Sequence, residues 1–213
     1  EMGKRARLAA DWLASAPSAS KDAALECMAA TLLACQEAIL QANQQDLDAG
    51  ARAGLSPALL DRLMLNPARL AGIVGDLRQL IRLPDPVGES FEASVLPNGL
   101  RACKQRVPLG VLGVIYEARP NVTVDVAGLA VKTGNAAILR GGSETMHSNR
   151  ALVNAIRQAL EETGLPADII QWVSDPARER VLELLHMDET VDMISPRGGA
   201  GRRRPPGRVL PRA

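Results

Sequence analysis

The chain has 213 residues, of which 46% are apolar, enough for one substantial core or one core plus a small satellite, and its longest apolar stretches are broken well short of the roughly 18 residues that a membrane span needs. Only four aromatic side chains are present (Trp12, Phe91, Tyr116 and Trp172), too few for a platform on which nucleic-acid bases could stack. The net charge of +1 hides an asymmetry: residues 201–213 hold five arginines and no acid, and without them 20 basic residues face 24 acidic ones, so the body of the chain has no surplus to neutralise a phosphate backbone.

These features exclude nucleic acid and membrane as partners of the body and place the chain in the cytoplasm. Cys27 and Cys35 sit two helical turns apart on one apolar face, and no pair among Cys27, Cys35 and Cys103 has metal-knuckle spacing. They read as buried structural thiols, and no metal is expected.

Residues 1–84 read as helical. Leu8, Trp12 and Leu13 share a face of the first helix, and Ala16-Pro17 breaks it. A second series through Leu25, Met28, Ala29, Leu32, Leu33, Ile39 and Leu40 follows one helical period, with Ser20 as its N-cap and Gly50 and Gly54 as its end. Ser56-Pro57 and Asn66-Pro67 each set a capping side chain before a proline, which marks two more helix starts, the second running to Pro84. Residues 85–107 form an antiparallel ribbon turning at Asn98-Gly99.

From residue 108 to 201 strands and helices alternate. Strands are predicted at 111–116, 136–139, 169–173 and 191–194, with helices at 122–132, 147–162 and 176–185 between them. Crossovers of this length join parallel strands, so the fold class is α/β, a doubly wound parallel sheet preceded by the helical region and the ribbon. Ligands of such sheets gather at the carboxyl ends of the strands.

Three bends follow strands there: Tyr116 to Asn121, Arg140 to Glu144, and Pro196 to Gly201. Each carries an arginine beside a turn, and two carry paired glycines that let an anion approach the main chain. Side by side on one rim they suggest a polyanionic ligand. The three-glycine dinucleotide fingerprint and the Lys-Ser/Thr phosphate loop are both absent, so any nucleotide is held in another way. His147 and His186 lie at helix ends and read as surface caps.

The runs Val107 to Thr123 and Lys132 to Glu144, together with Leu59-Leu60-Asp61-Arg62-Leu63, Leu83 to Gly88 and Pro196 to Gly201, are similar to the gamma-glutamyl phosphate reductase family of the aldehyde dehydrogenase superfamily. The resemblance covers nearly all of residues 2–201 and implies an aldehyde-dehydrogenase-like fold. It implies NADPH-dependent reduction of L-glutamyl 5-phosphate to glutamate 5-semialdehyde with release of phosphate and NADP+, in proline biosynthesis. A cysteine thiolate would displace phosphate, and hydride from the nicotinamide would reduce the thioester.

By the same resemblance Arg140, Gly141, Gly142, Ser143 and Glu144 lie against the cofactor's ribose and phosphates, with the Arg140 fork suited to a 2′-phosphate. Arg197, Gly198 and Gly199 lie near the diphosphate, Tyr116 near the cofactor, and Arg119 and Asn121 near the acyl phosphate or its oxyanion. Full-length members are implied to be homo-oligomeric.

No cysteine here stands in the family's nucleophile context, so no catalytic residue is assigned and the catalytic domain is expected downstream of this chain. Residues 202–213, rich in Arg and Pro, read as a disordered tail produced by a reading-frame shift, and Glu1-Met2 as the start of a fragment. Such a piece would leave a sheet edge open and bind a nucleotide weakly. The competing readings are a dinucleotide-binding fragment without catalysis, a broader NAD+-dependent aldehyde dehydrogenase, and an anion binder working through the tail.

Overall fold

A computed structural model describes residues 1–197; Gly198, Gly199 and the tail lie outside the described residues. Five helices lead: α1 (Met2–Ala14), α2 (Ser18–Ala34), α3 (Gln36–Arg52), α4 (Pro57–Leu63) and α5 (Pro67–Arg82). The ribbon is β1 (Ser90–Val95) with β2 (Arg101–Gln105), and then come β3 (Val111–Ile115), α6 (Asn121–Lys132), β4 (Ala136–Arg140), α7 (Met146–Glu162), β5 (Ile170–Trp172), α8 (Glu179–Leu185) and β6 (Met193–Pro196). The main sheet has the order β5-β4-β3-β6 with every neighbouring pair parallel.

Both sheet faces are covered, as the continuous apolar strands require. Val114, Ala137 and Leu139 pack with α2, α5, α6 and α7 in the larger core, while Val111, Ile115, Ala136 and Ile138 meet α1 and α8 on the other face. The leading helices therefore share the sheet's core instead of forming one of their own. Among the described residues no single helix is long and apolar enough to cross a membrane.

Several local expectations change. On α1 the buried stripe is Gly3, Ala6, Ala9, Ala10 and Leu13, with Leu8 and Trp12 exposed. Close approach explains it, since a Cβ on Gly3 would stand 2.2 Å from Thr190 Oγ1. The second periodic series is two helices, α2 and α3, which meet at 68° around Cys35 without proline or glycine at the break. Gly50 is buried within α3, and Ser20 lies inside α2, whose N-cap is Pro17. Ser56 and Asn66 do cap their helices, accepting from Leu59 N and Arg69 N.

Nor are the cysteines all buried: Cys103 is exposed on the ribbon, and Cys27 and Cys35 are half-buried. Every residue of β1 and β2 is exposed. Their pairing shifts register between Phe91 and Ser94, where Glu92 takes a φ of 52°, and Gly99 supplies the positive φ of the turn.

Candidate functional site

Parallel pairing aligns Ile115 with both Arg140 and Pro196, so the ends of β4, β3 and β6 stand next to one another. The bends at 116–121 and 140–144 and the start of the third at Arg197 therefore occupy one rim, and Arg197 N donates to Ile115 O at 2.6 Å. The structure brings Arg119, Asn121, Arg140 to Glu144 and Arg197 together. Gly198 and Gly199 fall outside the described residues.

The three arginines differ in use. Arg119 and Arg197 are exposed, whereas Arg140 is 5% exposed. Arg140 Nη1 donates to Gly141 O at 2.8 Å and Nη2 to Pro176 O at 2.5 Å. Its guanidinium thus ties the end of β4 to the loop after β5. The fork suggested for a 2′-phosphate is engaged with carbonyls instead, because burial of a permanent cation demands acceptors on the spot.

Tyr116 is likewise enclosed, at 1% exposure, and burial pushes its phenol pKa up against a smaller lowering by Thr123. Its Oη lies 2.6 Å from Thr123 Oγ1, which donates to Asn149 Oδ1 at 2.8 Å. Asn149 Nδ2 donates to Thr145 Oγ1 at 2.8 Å, and Thr145 Oγ1 to Gly142 O at 3.0 Å. Since the Thr123 hydroxyl proton goes to Asn149, the phenol must be the donor at the head of the series. A one-directional chain of buried hydrogen bonds thereby fixes the bend after β4 relative to the end of β3, each bond polarising the next.

Glycine at 141 is dictated by that chain, because a Cβ would stand 2.1 Å from Asn149 Nδ2. The N-terminus of α7, the obvious anion seat beside the bend, is filled from within: Asp46 on α3 accepts from His147 N at 3.1 Å, Ser148 N at 2.7 Å and Ser148 Oγ at 2.6 Å. His147 and His186 are exposed at helix ends.

Asn121, the first residue of α6, is half-buried, and its Nδ2 donates to Asp125 Oδ2 at 3.2 Å. Burial raises the Asp125 pKa first and the charge of Asp76 adds to it, while Asn121 and Arg197 act in the opposite direction. Sequence reasoning overlooked Asp125, Thr123, Thr145 and Asn149. The spacing of Asn121 and Asp125, four apart at a helix start, was the one available signal.

A dinucleotide fits the rim by charge, since two exposed cations, Arg119 and Arg197, stand beside the bend after β4, in which Gly142 is buried under the Glu144 carboxylate and Ser143 is exposed. The conserved-domain model described as the aldehyde dehydrogenase family matches residues 69–203, more than half of the chain. The chain is 57% identical over 201 residues to the gamma-glutamyl phosphate reductase of Aeromonas salmonicida, covering 94% of this chain and 48% of that protein. It is 59% identical over 206 residues to that of Roseiflexus castenholzii, covering 96% and 49%.

The crystal structure of the Thermotoga maritima gamma-glutamyl phosphate reductase superposes with a TM-score of 0.91 at 40% identity, over 94% of this chain and 48% of that one. The chain spans about half the length of the curated relatives it matches, a span that fits an N-terminal part of the enzyme. The α/β architecture, the parallel sheet and the family model agree: the chain belongs to the aldehyde dehydrogenase family.

Proposed function

We propose that this chain is the cofactor-binding part of a gamma-glutamyl phosphate reductase, holding NADPH along the rim formed by the ends of β4, β3 and β6. The observation that carries the reading is the juxtaposition of the bends after β3 and β4 with Arg197 at the end of β6, where Arg119 and Arg197 are exposed. In this reading Gly141, Gly142, Ser143 and Glu144 line the ribose and phosphate side. Arg197 faces the diphosphate.

Arg140 and Tyr116 act by holding that surface in shape, Arg140 from beneath the bend and Tyr116 through its hydrogen-bond chain. Arg119 and Asn121 take the phosphoryl end of L-glutamyl 5-phosphate, where a guanidinium and an amide N–H offset the charge of the departing phosphate. The bound dinucleotide supplies the hydride that turns the acyl group into the semialdehyde. Cys27 and Cys35 lie on or beside α2 and Cys103 on the ribbon, so the nucleophile of the reaction is assigned to a part of the enzyme outside this chain.

Titration of the purified chain against NADPH, followed by nicotinamide fluorescence with NADH in parallel, tests the reading. Saturable binding that favours NADPH is expected. A chain that is folded by circular dichroism yet leaves the fluorescence of both unchanged refutes it.

A further inference from the structure

The proposed substrate has an electrostatic requirement that the rim arginines do not meet. An amino-acid acyl phosphate carries phosphoryl and carboxylate anions, but also an α-ammonium group, which needs an anionic partner. Asp125 stands four residues along α6 from Asn121, a rise of about 6 Å, away from the rim. An extended glutamyl chain separates its reacting carbonyl carbon from its α-nitrogen by roughly 5 Å, on ordinary bond lengths.

We propose that Asp125 is a specificity-determining residue whose carboxylate receives the α-ammonium group of an amino-acid acyl phosphate, the phosphoryl end of which lies at Arg119 and Asn121. The inference rests on the reading of the rim given above and adds to it the reason why an amino acid is selected.

The surroundings of Asp125 favour a cationic ligand. The carboxylate is half-buried and hydrogen-bonded by Asn121 from its own helix. The charged groups facing it are Asp76 from α5, which repels, and Arg197 beyond β6, which attracts. Burial and Asp76 together outweigh Asn121 and Arg197, so the ionised form stands at a net disadvantage that an approaching ammonium relieves. Because Asn121 bonds Asp125 directly, the group proposed for the phosphoryl end and the group proposed for the ammonium form one preset unit.

Isothermal titration with two stable compounds separates the possibilities: L-2-amino-6-phosphonohexanoate, which has both charged ends, and 6-phosphonohexanoate, which lacks the amine. The chain is expected to bind the amino compound about tenfold more tightly, the scale of a charge-assisted contact. Asp125→Asn keeps an acceptor for Asn121 and is expected to bind both compounds alike, with the affinity for the amine-free compound unchanged. Asp125→Glu, which keeps the charge, retains part of the preference. If the unaltered chain does not discriminate, or if Asp125→Asn still does, the proposal falls while the phosphate site stands. If neither compound binds, the underlying reading of Arg119 and Asn121 fails and takes the proposal with it.

Discussion

The bends after β3 and β4 carry the same signal in the sequence, an arginine next to a turn at a strand end, and the folded chain uses them in opposite ways. Arg140 is buried and gives both terminal nitrogens to main-chain carbonyls, whereas Arg119 lies exposed and makes no side-chain hydrogen bond among the described residues. The first is a brace and the second a contact surface. The difference comes from position in the sheet. β4 is flanked by β3 and β5 and covered on both faces, so a side chain at its end is enclosed by neighbouring loops. Arg119 sits in the middle of its bend, away from any strand, and points out.

This contrast is open to direct attack. Arg140→Ala has the largest expected effect, removing the bonds to Gly141 O and Pro176 O and leaving a cavity, at a cost of about 2 to 3 kcal/mol in urea unfolding. NADPH affinity falls with it as the bend loosens. Gly141→Ala comes next, since its methyl group must displace Asn149 and break the chain from Tyr116 to Gly142; a loss of about 1 to 3 kcal/mol is expected. Tyr116→Phe removes only the donor at the head of that chain and should cost about 1 to 1.5 kcal/mol. If Tyr116→Phe left the melting curve in place, the chain would not be holding the bends together.

Arg119→Ala sharpens the comparison from the other side. Stability should move by less than about 0.5 kcal/mol, while binding of 6-phosphonohexanoate weakens about fivefold. A fall in stability comparable to that of Arg140→Ala would erase the distinction between brace and contact.

The smallest effect at neutral pH concerns a buried pair remote from the rim. Lys21 on α2, 1% exposed, meets Asp85, which also accepts from Ser18 Oγ and Val87 N. Burial alone would raise the Asp85 pKa, but these three donors together bring it below the ordinary aspartate value. A depressed folded-state pKa gives stability that is complete above the unfolded value of about 3.9 and is lost as pH falls through the folded one. Unfolding followed from pH 5 downwards should therefore show a decline that Asp85→Asn flattens, with the rim variants unaffected in slope.

The order of strands and helices was legible because it rests on periodicity: β3 and β4 are apolar runs, and Gly164, at positive φ, closes the helix that follows β4. The caps at Ser56 and Asn66 are local chemistry and were equally readable. Resemblance carried the reading further, to the family and to the roles of residues on the bends. The bend in the chain at Cys35 was invisible, because nothing local breaks the helix there. α2 turns into α3 as the first reaches the end of α7, where Cys27 meets Glu162, and the second its start, where Asp46 meets His147 and Ser148, and that is a tertiary demand.

Amino-acid order thus determined the elements, their sequence and the location of the bends, all of which depend on interactions among near neighbours in the chain. Tertiary structure alone decided which arginine is buried, which polar groups join Tyr116 to Gly142, and that Asp76 and Arg197 face Asp125. Those facts depend on groups up to a hundred residues apart, as with Asp46 and the start of α7, and on the dielectric that their packing creates. No pattern along the chain encodes that environment before the sheet assembles.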